Sequence, residues 1–256
     1  MTSRVRTIAL LTDFGVRDPY VASMKGVLAS RTDARVADLT HEIEPFDVFG
    51  AGWFLSTVWT WWPAGTVFVA VIDPGVGTSR RIIAHERDGR TFLAPDNGLL
   101  TFVDNGSGAI SVEDASHFLP DGSTTFHGRD RFAPVAAAIA NGVSLAALGP
   151  HIDDLVRLDY EPPCYDCARV DGTIVSIDRF GNAITDIERS RIAFDRFALR
   201  CGDVVIDRIA TTYAEGDDDA FLIVGSTGHV EVSVANASAA AKLHLKRGDC
   251  VTIVPK

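Results

Sequence analysis

Between Val48 and Ile72 the chain carries no charged residue, and an uncharged apolar run of that length can span a bilayer. What this stretch becomes therefore limits every fold the chain can adopt. Pro63-Ala64-Gly65 interrupts it, and proline followed by glycine ends a helix and opens a turn. The run thus divides into a buried helix from Val48 to Trp62, with a tryptophan-rich face (Trp53, Trp59, Trp61, Trp62), and a strand from Val67 to Ile72. A subunit interface is a second use for the tryptophan surface. No membrane partner is expected.

The strand runs directly into Asp73-Pro-Gly-Val-Gly-Thr-Ser-Arg80. β-branched and aromatic residues bounded by Pro-Gly read as a buried strand, and in open α/β sheets ligands collect beyond the carboxyl ends of strands. One turn therefore carries a carboxylate and a guanidinium to a place where sites form. Neither phosphate-binding pattern fits, since Arg80 stands where the dinucleotide fingerprint needs glycine and no Gly-Lys-Ser/Thr follows. The plain alternative is a turn cap with a surface ion pair, worth about 0 to 1 kcal/mol. The motif alone leaves both open.

Strand-like runs (Ile8 to Leu11, Val67 to Ile72, Thr91 to Ala94) alternate with helical ones (Pro19 to Ser30, Val48 to Trp62, Asp130 to Asn141) up to about Gly149. That order predicts βαβ units, and the expected fold is α/β, a mainly parallel α/β sandwich domain over 1–160. A linker over 161–168 follows. Short strands at Gly172 to Ile177, Leu222 to Val224, His229 to Val234 and Cys250 to Val254 then predict a small β-barrel-like domain over 169–256. With 256 residues, 46% of them hydrophobic and 23% charged, the composition is globular.

A formal net charge of -10 without any Lys/Arg-rich run disfavours a nucleic-acid partner. The basic start from Met1 meets Asp13 after a short apolar stretch with no small-residue cleavage site, so a cytoplasmic protein is expected. Cys164-Tyr-Asp-Cys167 has metal-knuckle spacing, yet Cys201 and Cys250 are isolated and supply no second pair. Reduced thiols and no metal are the expectation.

Three strand-like runs end in an acid, at Asp13, Asp73 and Asp96, and in a parallel sheet they share one edge. Each acid could equally cap a turn. His127, in Thr125-Phe-His-Gly-Arg-Asp130, falls at the start of the third helical run, where the helix dipole disfavours the imidazolium. A lone histidine is more often structural than catalytic, so its meaning depends on whether it meets Asp73 and Arg80. Asp178-Arg-Phe-Gly-Asn182 follows a strand. An acid, an aromatic and an amide there can bind an ammonium, stack a ring through Phe180 and hydrogen-bond a base, though a hairpin turn uses the same Asp, Gly and Asn.

Taken in order, Leu11-Thr-Asp-Phe-Gly15, His41-Glu-Ile-Glu-Pro-Phe-Asp47, Asp73 to Thr78, Pro95-Asp-Asn-Gly98, Phe126-His-Gly128, Asp178 to Asn182 and Ser226-Thr-Gly228 cover nearly the whole chain. It resembles the S-adenosyl-L-methionine (SAM) hydroxide adenosyltransferases, or SAM hydrolases, relatives of the fluorinase and chlorinase enzymes. The resemblance implies a homotrimer of two-domain subunits, with SAM between the first domain of one subunit and the second domain of its neighbour. It makes Asp73, Arg80 and His127 the catalytic residues. It also assigns Asp13 to the ribose hydroxyls, Asp178 to the methionine ammonium, Asn182 to the adenine and Ser226 to the methionine carboxylate, with Glu231 lining the same end.

The implied reaction is attack of water or hydroxide at ribose C5′, giving adenosine and L-methionine, with SAM as substrate and no cofactor. The alternatives are a SAM-dependent halogenase and a non-catalytic SAM- or adenosine-binding protein. Where the halogenases place Tyr, Thr and Ser around their halide, this chain has Asp73, Val76 and Gly128. A carboxylate repels an anion a few ångströms away, which argues against a halide nucleophile.

Overall fold

The computed structural model describes residues 6–216 and 218–256. Residues 1–5, which begin the basic start of the chain, lie outside the described residues. Two compact units are formed, one running to Asp159 and the other from Tyr160 to Lys256.

The first unit contains β1 (Thr7–Thr12), α1 (Tyr20–Arg31), β2 (Arg35–Thr40), α2 (Val48–Val58), β3 (Val67–Val71), β4 (Ile82–Arg87), β5 (Arg90–Pro95), β6 (Ala109–Ser111), α3 (Ala133–Ala140) and β7 (His151–Ile152). Its seven strands are ordered β2-β1-β3-β5-β4-β6-β7. The mainly parallel sheet expected is parallel only from β2 to β5. From β5 outward, β4, β6 and β7 are antiparallel. The reversal comes from Asp88-Gly89, both left-handed (φ 48 and 70), a two-residue turn that folds β5 back on β4 as a hairpin.

The uncharged run resolves as α2, a 3-10 turn (Trp59–Trp61) and β3. Asp47 caps α2 by accepting from the Gly50 N–H at 2.9 Å. β3 is buried along its whole length, as a central parallel strand covered on both faces must be. Val67, Val69 and Val71 pack with Met24 and Leu28 of α1 and Val135 and Ala136 of α3. Phe68, Ala70 and Ile72 pack with Ala51 and Leu55 of α2. Among the described residues no helix is long and apolar enough to cross a membrane.

The second unit contains β8 (Cys164–Tyr165), β9 (Val170–Ile177), β10 (Ala183–Glu188), β11 (Phe197–Cys201), β12 (Val204–Ile206), β13 (Phe221–Val224), β14 (His229–Ser233), α4 (Ala239–Leu243) and β15 (Cys250–Pro255). The strands follow the order β12-β11-β15-β9-β10-β14-β13, with β8 added to β9, in a nearly barrel-shaped antiparallel sheet. Its main core runs from Val170 to Ile253, and a smaller cluster joins Ala210, Phe221 and Ile223. The stretch 161–168 is thus not linker throughout, because Cys164 and Tyr165 pair with Asp171 and Val170. All four cysteines are free thiols, and among the described residues no three His, Cys, Asp or Glu side chains assemble a metal site.

Candidate active site

β1, β3 and β5 run parallel, so Asp13, Asp73 and Asp96 all leave the same sheet edge. Their surroundings then divide them. Asp96 is buried, with Arg81 Nε donating at 2.8 Å and the Val156 N–H at 2.9 Å. It ties the β4 start to the 154–156 segment and is scaffold. Asp13 accepts the Phe46 N–H at 2.9 Å, which joins the loop after β1 to the loop before α2.

Asp73 and Arg80 form the core of a constellation. Arg80 Nε donates to Asp73 Oδ1 at 2.8 Å, and Arg80 Nη2 reaches Asp73 Oδ2, a bidentate pair buried from solvent. A pair of this geometry is a different object from the exposed ion pair of the plain reading. The turn between them is closed by the Val76 N–H on Asp73 O (3.1 Å) and the Thr78 hydroxyl on Gly75 O (2.7 Å). Gly77 is left-handed (φ 81), and a Cβ there would lie 2.6 Å from Thr124 O. The turn therefore rests against the segment that leads to His127.

His127 meets the pair. Its Nδ1 lies 2.8 Å from Arg80 Nη2, which can only donate. The neutral imidazole must then accept at Nδ1 and carry its proton on Nε2. His127 is 1% exposed, and burial, then the neighbouring Arg131 and Arg80, lower its pKa to about 4. At neutral pH it is an uncharged N–H donor. His127 stands at the mouth of a π-helical turn, Gly128–Phe132, which continues into α3; such turns often occur at functional sites. The turn also sets the Phe132 ring 5.6 Å from the Arg80 guanidinium carbon. Arg80 Nη1 and His127 Nε2 are buried and make no hydrogen bond within the described residues. Two N–H donors are thus fixed beside one carboxylate.

Asp13 belongs to the same neighbourhood. Phe14 packs edge-on against Phe126 (centroids 5.9 Å apart), and Tyr20 does the same at 5.1 Å. The loop carrying Asp13 therefore touches the segment carrying His127.

In the second unit, a cavity of about 670 Å³ is lined by Asp178, Phe180, Asn182, Tyr213 and the run Val234 to Ser238. Asp178 organises its own turn. Its Oδ1 accepts the N–H groups of Phe180 (2.9 Å) and Asn182 (2.8 Å), and its Oδ2 accepts Asn182 Nδ2 (2.8 Å). That leaves the Asn182 side-chain oxygen Oδ1 as the polar atom suited to an external donor such as an exocyclic amine, and leaves Phe180 78% exposed beside it.

Glu231, buried on β14, accepts the Tyr213 hydroxyl at 3.1 Å. Burial raises its carboxyl above the usual range, opposed by the Tyr213 hydrogen bond and reinforced by Asp178. The same burial, with Glu231 beside it, pushes the Tyr213 phenol up to about 12. Gly225 makes room for Glu231, because a Cβ there would fall 1.6 Å from Glu231 Oε1. Ser226 lies on the exposed turn between β13 and β14, and neither it nor Glu231 lines the cavity. Tyr213 and the Val234 to Ser238 run escape the sequence reading. Tyr213 carries no local signal, whereas Ser238 before three alanines is a helix cap, confirmed by its acceptance of the Ala241 N–H at 3.0 Å.

The first unit thus gathers an acid, a guanidinium and an imidazole beyond its strand ends, and the second holds a cavity of about 670 Å³ lined by an acid, an aromatic ring and an amide. Residues 8–149 match the SAM hydroxide adenosyltransferase N-terminal domain and residues 172–252 the C-terminal domain of the same family. The chain belongs to the SAM hydroxide adenosyltransferase family. It is 39% identical to an (R)-S-adenosyl-L-methionine hydrolase of Thermus thermophilus, over 95% of this chain and 98% of that protein. A solved structure of a conserved Thermotoga maritima protein superposes with a TM-score of 0.89 at 32% identity, covering 96% of this chain and 99% of that one. A fluorinase of Actinopolyspora mzabensis is more distant, at 26% identity over 96% of each chain.

Proposed function

We propose that this chain hydrolyses SAM to adenosine and L-methionine by in-line attack of water or hydroxide at ribose C5′, with the (R) sulfonium epimer named for its relatives as substrate. The observation that carries the reading is the Asp73–Arg80–His127 constellation, in which Arg80 Nη1 and His127 Nε2 present buried, unpaired N–H groups. These hold and polarise the nucleophile. Asp73 fixes the guanidinium and places a carboxylate beside the nucleophile, where it can share the proton that water loses. Holding water in a near-attack position can supply about 7 to 11 kcal/mol, and a positioned base a further 10²- to 10⁴-fold, roughly. The sulfonium leaves as a neutral thioether, so the leaving group needs neither metal nor cofactor to activate it.

Asp13 holds the ribose hydroxyls in this reading. Phe180 and Asn182 take the adenine, and Asp178, Ser226 and Glu231 face the methionine end. The protein works in the cytoplasm as a homotrimer whose sites are completed by neighbouring subunits, without nucleic-acid or membrane partners. A halogenase reading is disfavoured by Asp73 and by Gly128. A Cβ at Gly128 would stand 3.2 Å from both Met24 Sδ and Phe126 Cε2, tight quarters for the serine of the halogenases. The deciding assay incubates the protein with each sulfonium epimer in water and in chloride or fluoride, with chromatography and mass detection. Adenosine and methionine are expected from the (R) epimer. Intact SAM throughout, or a 5′-halo product, would overturn the assignment.

A further inference from the structure

His41 opens a motif whose residues have no part in the chemistry above, yet it is 5% exposed and has a polar side chain near each ring nitrogen. Its Nδ1 lies 2.8 Å from the Thr12 hydroxyl. Its Nε2 stands 3.1 Å from Asp38 Oδ1, and Asp38 Oδ2 is paired with Lys25 Nζ at 2.6 Å. The Thr12 oxygen also accepts the Phe14 N–H at 3.2 Å, and the His41 carbonyl accepts the Gly15 N–H at 2.7 Å. The firm hydrogen bonds are those of Lys25 to Asp38, of the Thr12 hydroxyl with His41 Nδ1 and of the Phe14 N–H to Thr12; His41 Nε2 is buried near the Asp38 carboxylate but makes no hydrogen bond within the described residues. Thr, His and Asp in this order resemble a nucleophile relay, but Thr12 is fully buried and reaches no substrate.

These contacts surround Asp13. The residue before it, the residue after it and Gly15 are all tied to His41 or to the hydroxyl that His41 holds. Downstream of His41 the same loop returns with the Phe46 N–H on Asp13 Oδ2. We infer that His41 is a positioning residue that fixes the Asp13 carboxylate for the ribose diol, through Thr12 on one strand and Asp38 on the next. The inference rests on the assignment of Asp13 to the ribose hydroxyls given above.

Calorimetric titration with adenosine and with 2′,3′-dideoxyadenosine tests it, because the two ligands differ only in the groups Asp13 would hold. The unmutated protein is expected to prefer adenosine by roughly tenfold or more. Asp13→Ala, His41→Ala and Thr12→Val should each abolish most of that preference while leaving dideoxyadenosine affinity nearly unchanged. Thr12→Val keeps shape and removes only the hydroxyl, so it serves if His41→Ala does not fold. In steady-state hydrolysis, His41→Ala should raise KM with kcat within about twofold, and His41→Asn, which keeps a polar partner for Thr12, should recover part of the KM. A preference lost in Asp13→Ala but retained in His41→Ala and Thr12→Val overturns the inference alone. No preference in the unmutated protein overturns it together with the Asp13 assignment.

Discussion

Toward the nucleophile His127 offers the Nε2–H of a neutral ring, and this has two measurable consequences. With its pKa near 4, hydrolysis should show no limb near pH 6.5 from this residue, and the acid limb should appear near pH 4. A pH–rate profile in kcat checks it. Folding gives the complementary test. The unfolded imidazole takes up a proton near 6.5 and the folded one only near 4, so the unfolded state binds more protons in between. Stability therefore falls as pH drops from 6.5 to 4, and denaturant midpoints at several pH values should show a shallower slope in His127→Gln. Asp73→Asn keeps the shape of the buried fork and removes its charge. It should lower kcat by roughly 10²- to 10⁴-fold with SAM binding still measurable by titration. Asp73 and Arg80 were legible as a pair because they stand seven positions apart on one turn. Their meeting with His127, 47 residues on, depends on how α3 packs over the sheet, which no local pattern encodes.

Among the elements, the turn from Asp73 to Arg80 is a rigid part with a defined point of failure. Ala at Gly77 would be held left-handed and pressed against Thr124 O, so Gly77→Ala should cost about 1 to 3 kcal/mol and reduce kcat by moving the Arg80 fork. Denaturation midpoints with single-turnover rates check both parts. Legibility varied by element for physical reasons. β1, β3 and the α2 start were readable from apolar runs and Asp47. β4 was not read, although Asp88-Gly89 marked its hairpin, and with it went the antiparallel half of the sheet. Asp96 shows the limit of counting acids at strand ends, since its partners, Arg81 and Val156, come from the residue just before a hairpin strand and from a segment 60 residues away.

For the whole molecule, the residues assigned to SAM are shared between the two units, Asp13, Asp73, Arg80 and His127 on one and Asp178, Phe180, Asn182, Ser226 and Glu231 on the other. If neighbouring subunits complete each other's sites, two inactive variants should rescue one another. Mixing Asp73→Ala with Asn182→Ala after partial denaturation and refolding should recover a measurable fraction of turnover, and light scattering should give a mass three times that of one chain. Turnover in the refolded mixture no higher than in either variant refolded alone would count against shared sites. The motifs along the sequence pointed to both halves, but the cavity wall from Val234 to Ser238 is made of small and apolar residues whose contribution is shape, which a list of chemically active side chains passes over.

The tryptophan face of the uncharged run also makes the protein its own reporter. All four tryptophans lie between Trp53 and Trp62, whereas three of the four tyrosines, Tyr160, Tyr165 and Tyr213, belong to the second unit. Tryptophan emission will follow the α/β unit alone, and tyrosine absorbance will weigh the β unit most. If the units melt separately, the two optical signals should give different midpoints in one guanidinium titration; coincident curves would mean that they unfold together. Tyr213, on the cavity wall, should also make adenosine binding visible as a tyrosine difference spectrum while the indole signal stays flat.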